Sequence, residues 1–139
     1  MVIFNDGNGV STEVKNPDIL KKRIIDDFEA FCQEGSGDGF IDYKVDDNHE
    51  VSLMIEPNPD YGIYLHFMND DEGIEMLSLH DRNRLSEVVE YNDEMYASLG
   101  LFLPLEEAWK AISDFVSTGQ VSDKISWISV NEMPEDGNW

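Results

Sequence analysis

The chain has few basic residues, a single cysteine and no long apolar run, and each shortage excludes a class of protein. Nine lysines and arginines stand against thirty aspartates and glutamates, which leaves a formal net charge of −21. A surface this negative repels nucleic acid and anionic membranes. No apolar run approaches the roughly 20 residues of a membrane-spanning helix, and no basic and apolar segments of a signal peptide follow Met1. Cys32 has no partner for an internal disulfide, so we expect a cytoplasmic protein that binds neither nucleic acid nor membranes.

The motifs that usually indicate catalysis or metal binding are also missing. The three histidines, His49, His66 and His80, contain no i, i+4 pair, and one cysteine cannot form zinc-finger spacing. The chain has no G-x-S-x-G elbow. Carboxylates occur in nearly every loop, so no pair stands out as catalytic. We therefore expect no cofactor and no metal ion, and binding rather than catalysis; a small carboxylate-based enzyme that uses His66 is the alternative.

The periodicity of the apolar residues predicts the fold class. A chain of 139 residues with 41% hydrophobic residues is long enough for a core, and we expect one domain over residues 1–139. The apolar period is helical at about 17–34, changes to two over 40–79, and is helical again at about 104–118. This pattern predicts an α+β fold, in which two main helices pack against an antiparallel β-meander sheet.

Short turns separate the predicted strands of this sheet. The four central strands are FIDYKV at 40–45, EVSLMIE at 50–56, GIYLHFM at 62–68 and IEMLSL at 74–79. Because the breaks between them are short and rich in turn residues, the simplest topology is an antiparallel meander. An N-terminal hairpin around NDGNG, a strand near Val88–Tyr91 within residues 81–99, and a last strand with Ile125 and Trp127 complete the prediction.

Capping residues mark both helices. Asn16 and Pro17 suit the start of the first helix, and Gly35 suits its end. Pro104 opens the second helix and Gly119 stops it. The apolar stripe of the second helix consists of Leu105, Ala108, Trp109, Ile112, Phe115 and Val116. We expect Trp109 and Phe115 to anchor this helix in the core.

The strand directions of the meander bring two acidic turns to one end of the sheet. Turns 46–49 and 69–73 both follow strands that run the same way, whereas turn 57–61, with Asp60, lies at the opposite end. The predicted partner-binding residues of these two turns are Asp46, Asp47, His49, Asp70, Asp71 and Glu72. Turn chemistry alone explains Asp and Asn in such positions, but not Glu72.

A family pattern covers about a fifth of the chain, at residues 101–128. It has a hydrophobic-Pro opening, an acid-Ala helix start, a Phe near the helix end, a Gly and then a Trp on a final strand. The matching residues are Phe102, Pro104, Glu107, Ala108, Phe115, Gly119 and Trp127. This arrangement resembles the C-terminal signature of the immunity protein 1 family of bacterial polymorphic toxin systems. The family often has a second proline soon after the glycine, where this chain has VSD at 121–123 instead.

The resemblance implies a function that agrees with the charge. Such proteins stay in the producing cell and neutralise one cognate toxin domain by tight binding, and the toxins are commonly nucleic-acid deaminases or nucleases. A toxin that grips nucleic acid needs a basic cleft, and an acidic inhibitor places carboxylates where phosphates would lie. We expect a cognate basic toxin domain as the partner of a monomer or weak homodimer. Another acidic nucleic-acid-mimic inhibitor is a further alternative.

Overall fold

The structure, a computed structural model, describes all residues from 1 to 139 and has an α+β fold of nine strands and three α-helices. The strands are β1 (Val2–Asn5), β2 (Ser11–Glu13), β3 (Gly39–Lys44), β4 (Glu50–Asn58), β5 (Gly62–Asn69), β6 (Ile74–Leu79), β7 (Val88–Asn92), β8 (Met95–Ser98) and β9 (Ser126–Ser129). The α-helices are α1 (Pro17–Lys21), α2 (Phe28–Gln33) and α3 (Leu105–Thr118). The predicted fold class is confirmed.

Seven strands form one antiparallel sheet in the order β2-β1-β3-β4-β5-β6-β9. Strands β3 to β6 are neighbours in space in the same order as in the sequence, so the predicted meander is confirmed. Leu53 lies opposite Phe67, and Phe67 lies opposite Met76, which sets the register of the three central strands. The predicted N-terminal hairpin extends one edge of this sheet beside β3, and β9 extends the other edge beside β6.

The helices cover one face of the sheet. Side chains alternate between the two faces of a strand, so Ile41, Leu53 and Leu65 point to the same side and are at most 1% exposed. Helix α3 adds Ile112 and Phe115 to the same hydrophobic core. Burial of apolar surface stabilises this contact by roughly 25 cal/mol for each Å² removed from water, and it holds the helices to the sheet.

The expectation that two aromatic residues anchor α3 in the core is correct only for Phe115. Phe115 is 1% exposed, and its ring meets that of Phe67 edge-on with 6.0 Å between centroids. Trp109 is only partly buried and packs at the margin of the core. At about 100° per residue, these two positions are ~120° apart around the helix axis, so both rings cannot face the sheet.

The predicted helix at about 17–34 forms, but its middle is irregular. The Asn16 side chain accepts a hydrogen bond from the Asp18 amide, as expected of a helix cap. A π-helical turn over Lys22–Asp26 then separates α1 from α2, with the Asp27 amide donating to the Lys22 carbonyl at 2.8 Å. The chain leaves α2 through Gly35, which has a φ of 55°. The sequence pattern gave no sign of the π turn.

Residues 81–99 form a hairpin on the second face of the sheet. The strand predicted near Val88–Tyr91 is confirmed as β7, and Met95–Ser98, for which no strand was predicted, pairs with it as β8. The turn between them places Glu94 at a φ of 57°. A second hydrophobic cluster lies beneath this hairpin, formed by Tyr64, Leu77, Leu79, Leu85, Tyr91, Ala97, Leu101, Phe102 and Ile128. The short β8 segment has too few alternating residues to signal a strand by itself.

Candidate functional site

The two acidic turns expected at one end of the sheet do lie together there. One joins β3 to β4 and the other joins β5 to β6, and the pairing of Ser52 with Met68 brings them side by side. The His49 Nε2 atom of the first turn is 3.9 Å from the Asp71 Oδ2 atom of the second. We call this surface the acidic rim; it consists of Asp46, Asp47, His49, Asp70, Asp71 and Glu72. Its role in binding a partner stays a prediction.

His49 links the two turns electrostatically. Its Nδ1 atom is 2.8 Å from Asp46 Oδ1 and 2.9 Å from Asp46 Oδ2. The hydrogen bond to Asp46, followed by the charges of Asp46 and Asp71, raises the pKa of His49. The hydrogen bond from the Asn48 amide, followed by that from His49, lowers the pKa of Asp46. The imidazole therefore keeps its proton to a higher pH than a free histidine and cancels part of the charge of the rim.

Turn geometry accounts for Asp46 but not for the other acids of the rim. The Asp46 Oδ1 atom accepts a hydrogen bond from the Asn48 amide at 2.8 Å, which is a turn-forming contact. In the second turn, the side chain of Asn69 accepts a hydrogen bond from the backbone amide of Glu72 at 3.4 Å. An asparagine, and not one of the acids, therefore makes the corresponding contact there. The exposed carboxylates of Asp47, Asp70 and Glu72 make no hydrogen bond or ion pair within the chain. They are free to meet a cation from outside.

The opposite end of the sheet has a different character. The turn between β4 and β5 contains one carboxylate, Asp60, which is exposed. The Asn58 side chain closes this turn by accepting the amides of Asp60 and Tyr61 at 2.7 and 3.1 Å. Charge is therefore concentrated at the rim end of the meander, and Asp60 is a natural comparison position.

A second feature, which the sequence did not predict, is a cleft between the sheet and the β7–β8 hairpin. We call it the aromatic cleft; it opens to solvent and has a water-accessible volume of about 380 Å³. The cleft is lined by Met54, Glu56, Tyr64, His66, Tyr91, Glu94, Met95, Tyr96, Asn138 and Trp139. Because it depends on the hairpin and on the C-terminal segment, nothing in the strand pattern alone indicates it.

Glu56 lies at the base of this cleft and is 3% exposed. It faces Tyr64 across the β4–β5 pair, and no lysine, arginine or histidine lies within ion-pair distance. Burial raises the pKa of Glu56 to about 8, the charge of Asp38 adds to this, and a hydrogen bond from Tyr91 partly offsets it. In the sequence, the only indication that Glu56 is buried was its place on the same face of β4 as Met54, next to Pro57.

The hairpin that covers Glu56 is held by side-chain hydrogen bonds. The Asn58 side chain donates to the Tyr91 carbonyl at 2.9 Å, and the Asn92 side chain donates to the Ser36 carbonyl at 2.7 Å. The Tyr91 ring packs edge-on against that of Tyr64, with 5.8 Å between centroids. These contacts hold the Tyr91 ring in place, so this wall of the cleft is preformed.

The other candidate residues show no catalytic arrangement. His66 Nε2 is 3.2 Å from Glu75 Oε2 but lacks hydrogen-bond geometry. Burial raises the pKa of Cys32 to about 11, so its thiol is protonated at neutral pH and is a poor nucleophile. No group of three or more His, Cys, Asp or Glu side chains is placed to hold a metal ion.

Two further findings bear on the class of protein. None of the helices has the length and apolar character needed to cross a membrane. No protein-family model and no curated protein matches this chain. The resemblance to the immunity protein 1 family therefore rests on the residues of segment 101–128 alone and stays a hypothesis.

Proposed function

We propose that this chain is an immunity protein, which neutralises a cognate toxin domain acting on nucleic acid by binding the basic cleft of that toxin. The single observation that carries the proposal is the acidic rim. There the carboxylates of Asp47, Asp70 and Glu72 converge at one end of the sheet with no partner inside the chain. A monomer gains no stability from like charges held close together.

Electrostatic complementarity explains what such a rim does. An enzyme that binds nucleic acid presents lysines and arginines to the phosphates. The carboxylates of the acidic rim offer the same negative charge as those phosphates, block the cleft and accelerate the encounter between the two proteins. The net charge of −21 extends this attraction beyond the contact surface.

The residues of the family pattern support the proposal through the scaffold. Phe102 and Phe115 are at most 3% exposed, and Gly119 ends α3 with a φ of 72°. The indole of Trp127 donates a hydrogen bond to the Ser122 carbonyl at 2.8 Å. These positions hold the last helix and strand in place, so the pattern is compatible with the immunity function while leaving the interface to the acids.

The first experiment tests the function itself. The product of the adjacent upstream gene is expressed with and without this chain, and growth of the host and capture of the complex are measured. We expect the upstream protein to contain a toxic domain, growth to be rescued, and the two proteins to co-purify. Capture of a nuclease that is not a toxin would instead indicate an acidic nucleic-acid-mimic inhibitor. Absence of both rescue and capture would contradict the proposal.

The second experiment tests the rim with matched charge reversals. Asp70→Lys and Asp71→Lys should slow association with the toxin domain by about tenfold or more at low salt, because steering depends on charge near the contact. Asp60→Lys changes the net charge equally at the far end and should have little effect. Association rates are measured by surface plasmon resonance at two ionic strengths. Equal rates for the three variants would exclude the rim as the interface.

A further inference from the structure

The aromatic cleft combines a deeply placed carboxylate with aromatic walls. Glu56 forms its base, while Tyr96 and Trp139 stand at its mouth and are 48% and 42% exposed. Glu94 adds a second carboxylate from the turn between β7 and β8. No lysine or arginine lines the cleft. Aromatic faces with carboxylates and no cation are the surroundings that an organic cation prefers.

Glu56 is the unusual group of this cleft. A buried carboxylate ordinarily has a cation or several hydrogen-bond donors beside it. Here the chain supplies the Tyr91 hydroxyl and no positive charge, while Asp38 acts on Glu56 with a charge of the same sign. The free chain therefore places a carboxyl group that has no counter-ion at the base of a cleft that is open to solvent.

We propose that the aromatic cleft binds one guanidinium group, the side chain of an arginine on the protein partner, with Glu56 as its counter-ion. A guanidinium is planar and weakly hydrated, so it stacks on aromatic rings and pairs with a carboxylate through two parallel hydrogen bonds. An ammonium loses more hydration and lacks this geometry. The cleft is assigned from the residues of this chain alone, whereas the identity of the partner rests on the proposed function.

Proton linkage gives binding at Glu56 a measurable pH dependence. Because burial raises the pKa of Glu56 to about 8, a cation that enters at neutral pH must displace a proton from its carboxyl group. Affinity should therefore rise about tenfold between pH 7 and pH 9, most of it below pH 8. The other titratable groups around Glu56 are Asp38 before β3, Tyr64 and His66 of β5, Tyr91 of β7 and Glu94 of the hairpin turn.

The test uses the full chain and n-butylguanidinium as the probe. Binding is followed by NMR chemical-shift changes at pH 7, 8 and 9, and the residues that shift distinguish the cleft from the acidic rim, where the pKa of His49 is also raised. We expect shifts of Tyr91, Tyr96 and Trp139, an affinity that rises with pH, and no binding of the neutral isostere n-butylurea. Equal affinity at the three pH values, or shifts confined to the acidic rim, would overturn the proposal.

Variants distinguish binding in the cleft from attraction to the net negative charge of the chain. Glu56→Gln should abolish both binding and its pH dependence, and Tyr96→Ala, at an exposed wall, should weaken binding several-fold without disturbing the fold. Asp70→Asn, on the rim, removes one negative charge, as Glu56→Gln does at pH 9, and should leave binding unchanged. An equal loss in Asp70→Asn and Glu56→Gln would mean that the probe only senses net charge. Because no toxin is present, failure here is distinct from failure of the immunity function.

Discussion

The burial of Glu56 makes a stability prediction that can be worked out from the structure. Burial raises the pKa of this carboxyl from 4.5 to about 8 in the folded chain. Between these two values, the unfolded chain loses its proton while the folded chain keeps it, so the free energy of unfolding falls as pH rises. Below pH 4.5 both states hold the proton, and above about pH 8 neither does, so the contribution is constant outside this window.

The magnitude follows from the width of that window. Each pH unit between 4.5 and about 8 is worth about 1.4 kcal/mol, which amounts to at most about 5 kcal/mol by pH 9. Glu56→Gln keeps the size of the side chain and cannot ionise. We expect the variant to resemble the parent at pH 4.5 and to be more stable by about 2–5 kcal/mol at pH 9, since relaxation around the carboxylate reduces the full value.

Urea unfolding of both proteins at several pH values from 4.5 to 9, followed by tryptophan fluorescence, measures the difference. Repulsion among the thirty acids also lowers stability as pH rises. Glu50→Gln controls for this, because it removes one charge from an exposed position on the same face of β4. Its stability should run parallel to that of the parent. If the curve of Glu56→Gln also runs parallel to the parent curve, the carboxyl group is not buried as described.

Three further predictions concern the scaffold and the rim. Phe115→Ala should lower the free energy of unfolding by about 3–5 kcal/mol in the same urea assay, because a fully buried ring leaves a cavity. Gly119→Ala should lower the free energy of unfolding by about 1–3 kcal/mol, since φ is 72° there and a Cβ atom would lie 2.6 Å from the Tyr43 ring. An unchanged urea midpoint would contradict the left-handed conformation of Gly119 at the end of α3. NMR titration of His49 should give a pKa above 6.5 that falls in Asp46→Asn, because the hydrogen bond to Asp46 is the largest cause of the rise. An identical pKa of His49 in the two proteins would refute this hydrogen bond.

The sequence by itself determined most of the local elements of this protein, except the π turn and β8, and the end of the sheet at which its acids meet. Alternation in GIYLHFM, for example, places Ile63, Leu65 and Phe67 on one face whatever the rest of the chain does, because side chains of a strand alternate. Short turns force neighbouring strands to run antiparallel. Alternate turns of the meander therefore lie at the same end of the sheet, and this alone brought Asp46 and Asp71 together. Both inferences depend on contacts between residues close in sequence.

Only the tertiary structure decided what covers the second face of the sheet. β8 is too short to signal a strand, and its hairpin reaches the sheet through contacts such as that of Asn58 with Tyr91, which are far apart in sequence. The same packing placed Tyr91 over Glu56 and turned a carboxylate in an ordinary alternating strand into a buried one. Burial, and with it the pKa of Glu56, depends on which distant segment excludes water from a position, and no local pattern encodes that.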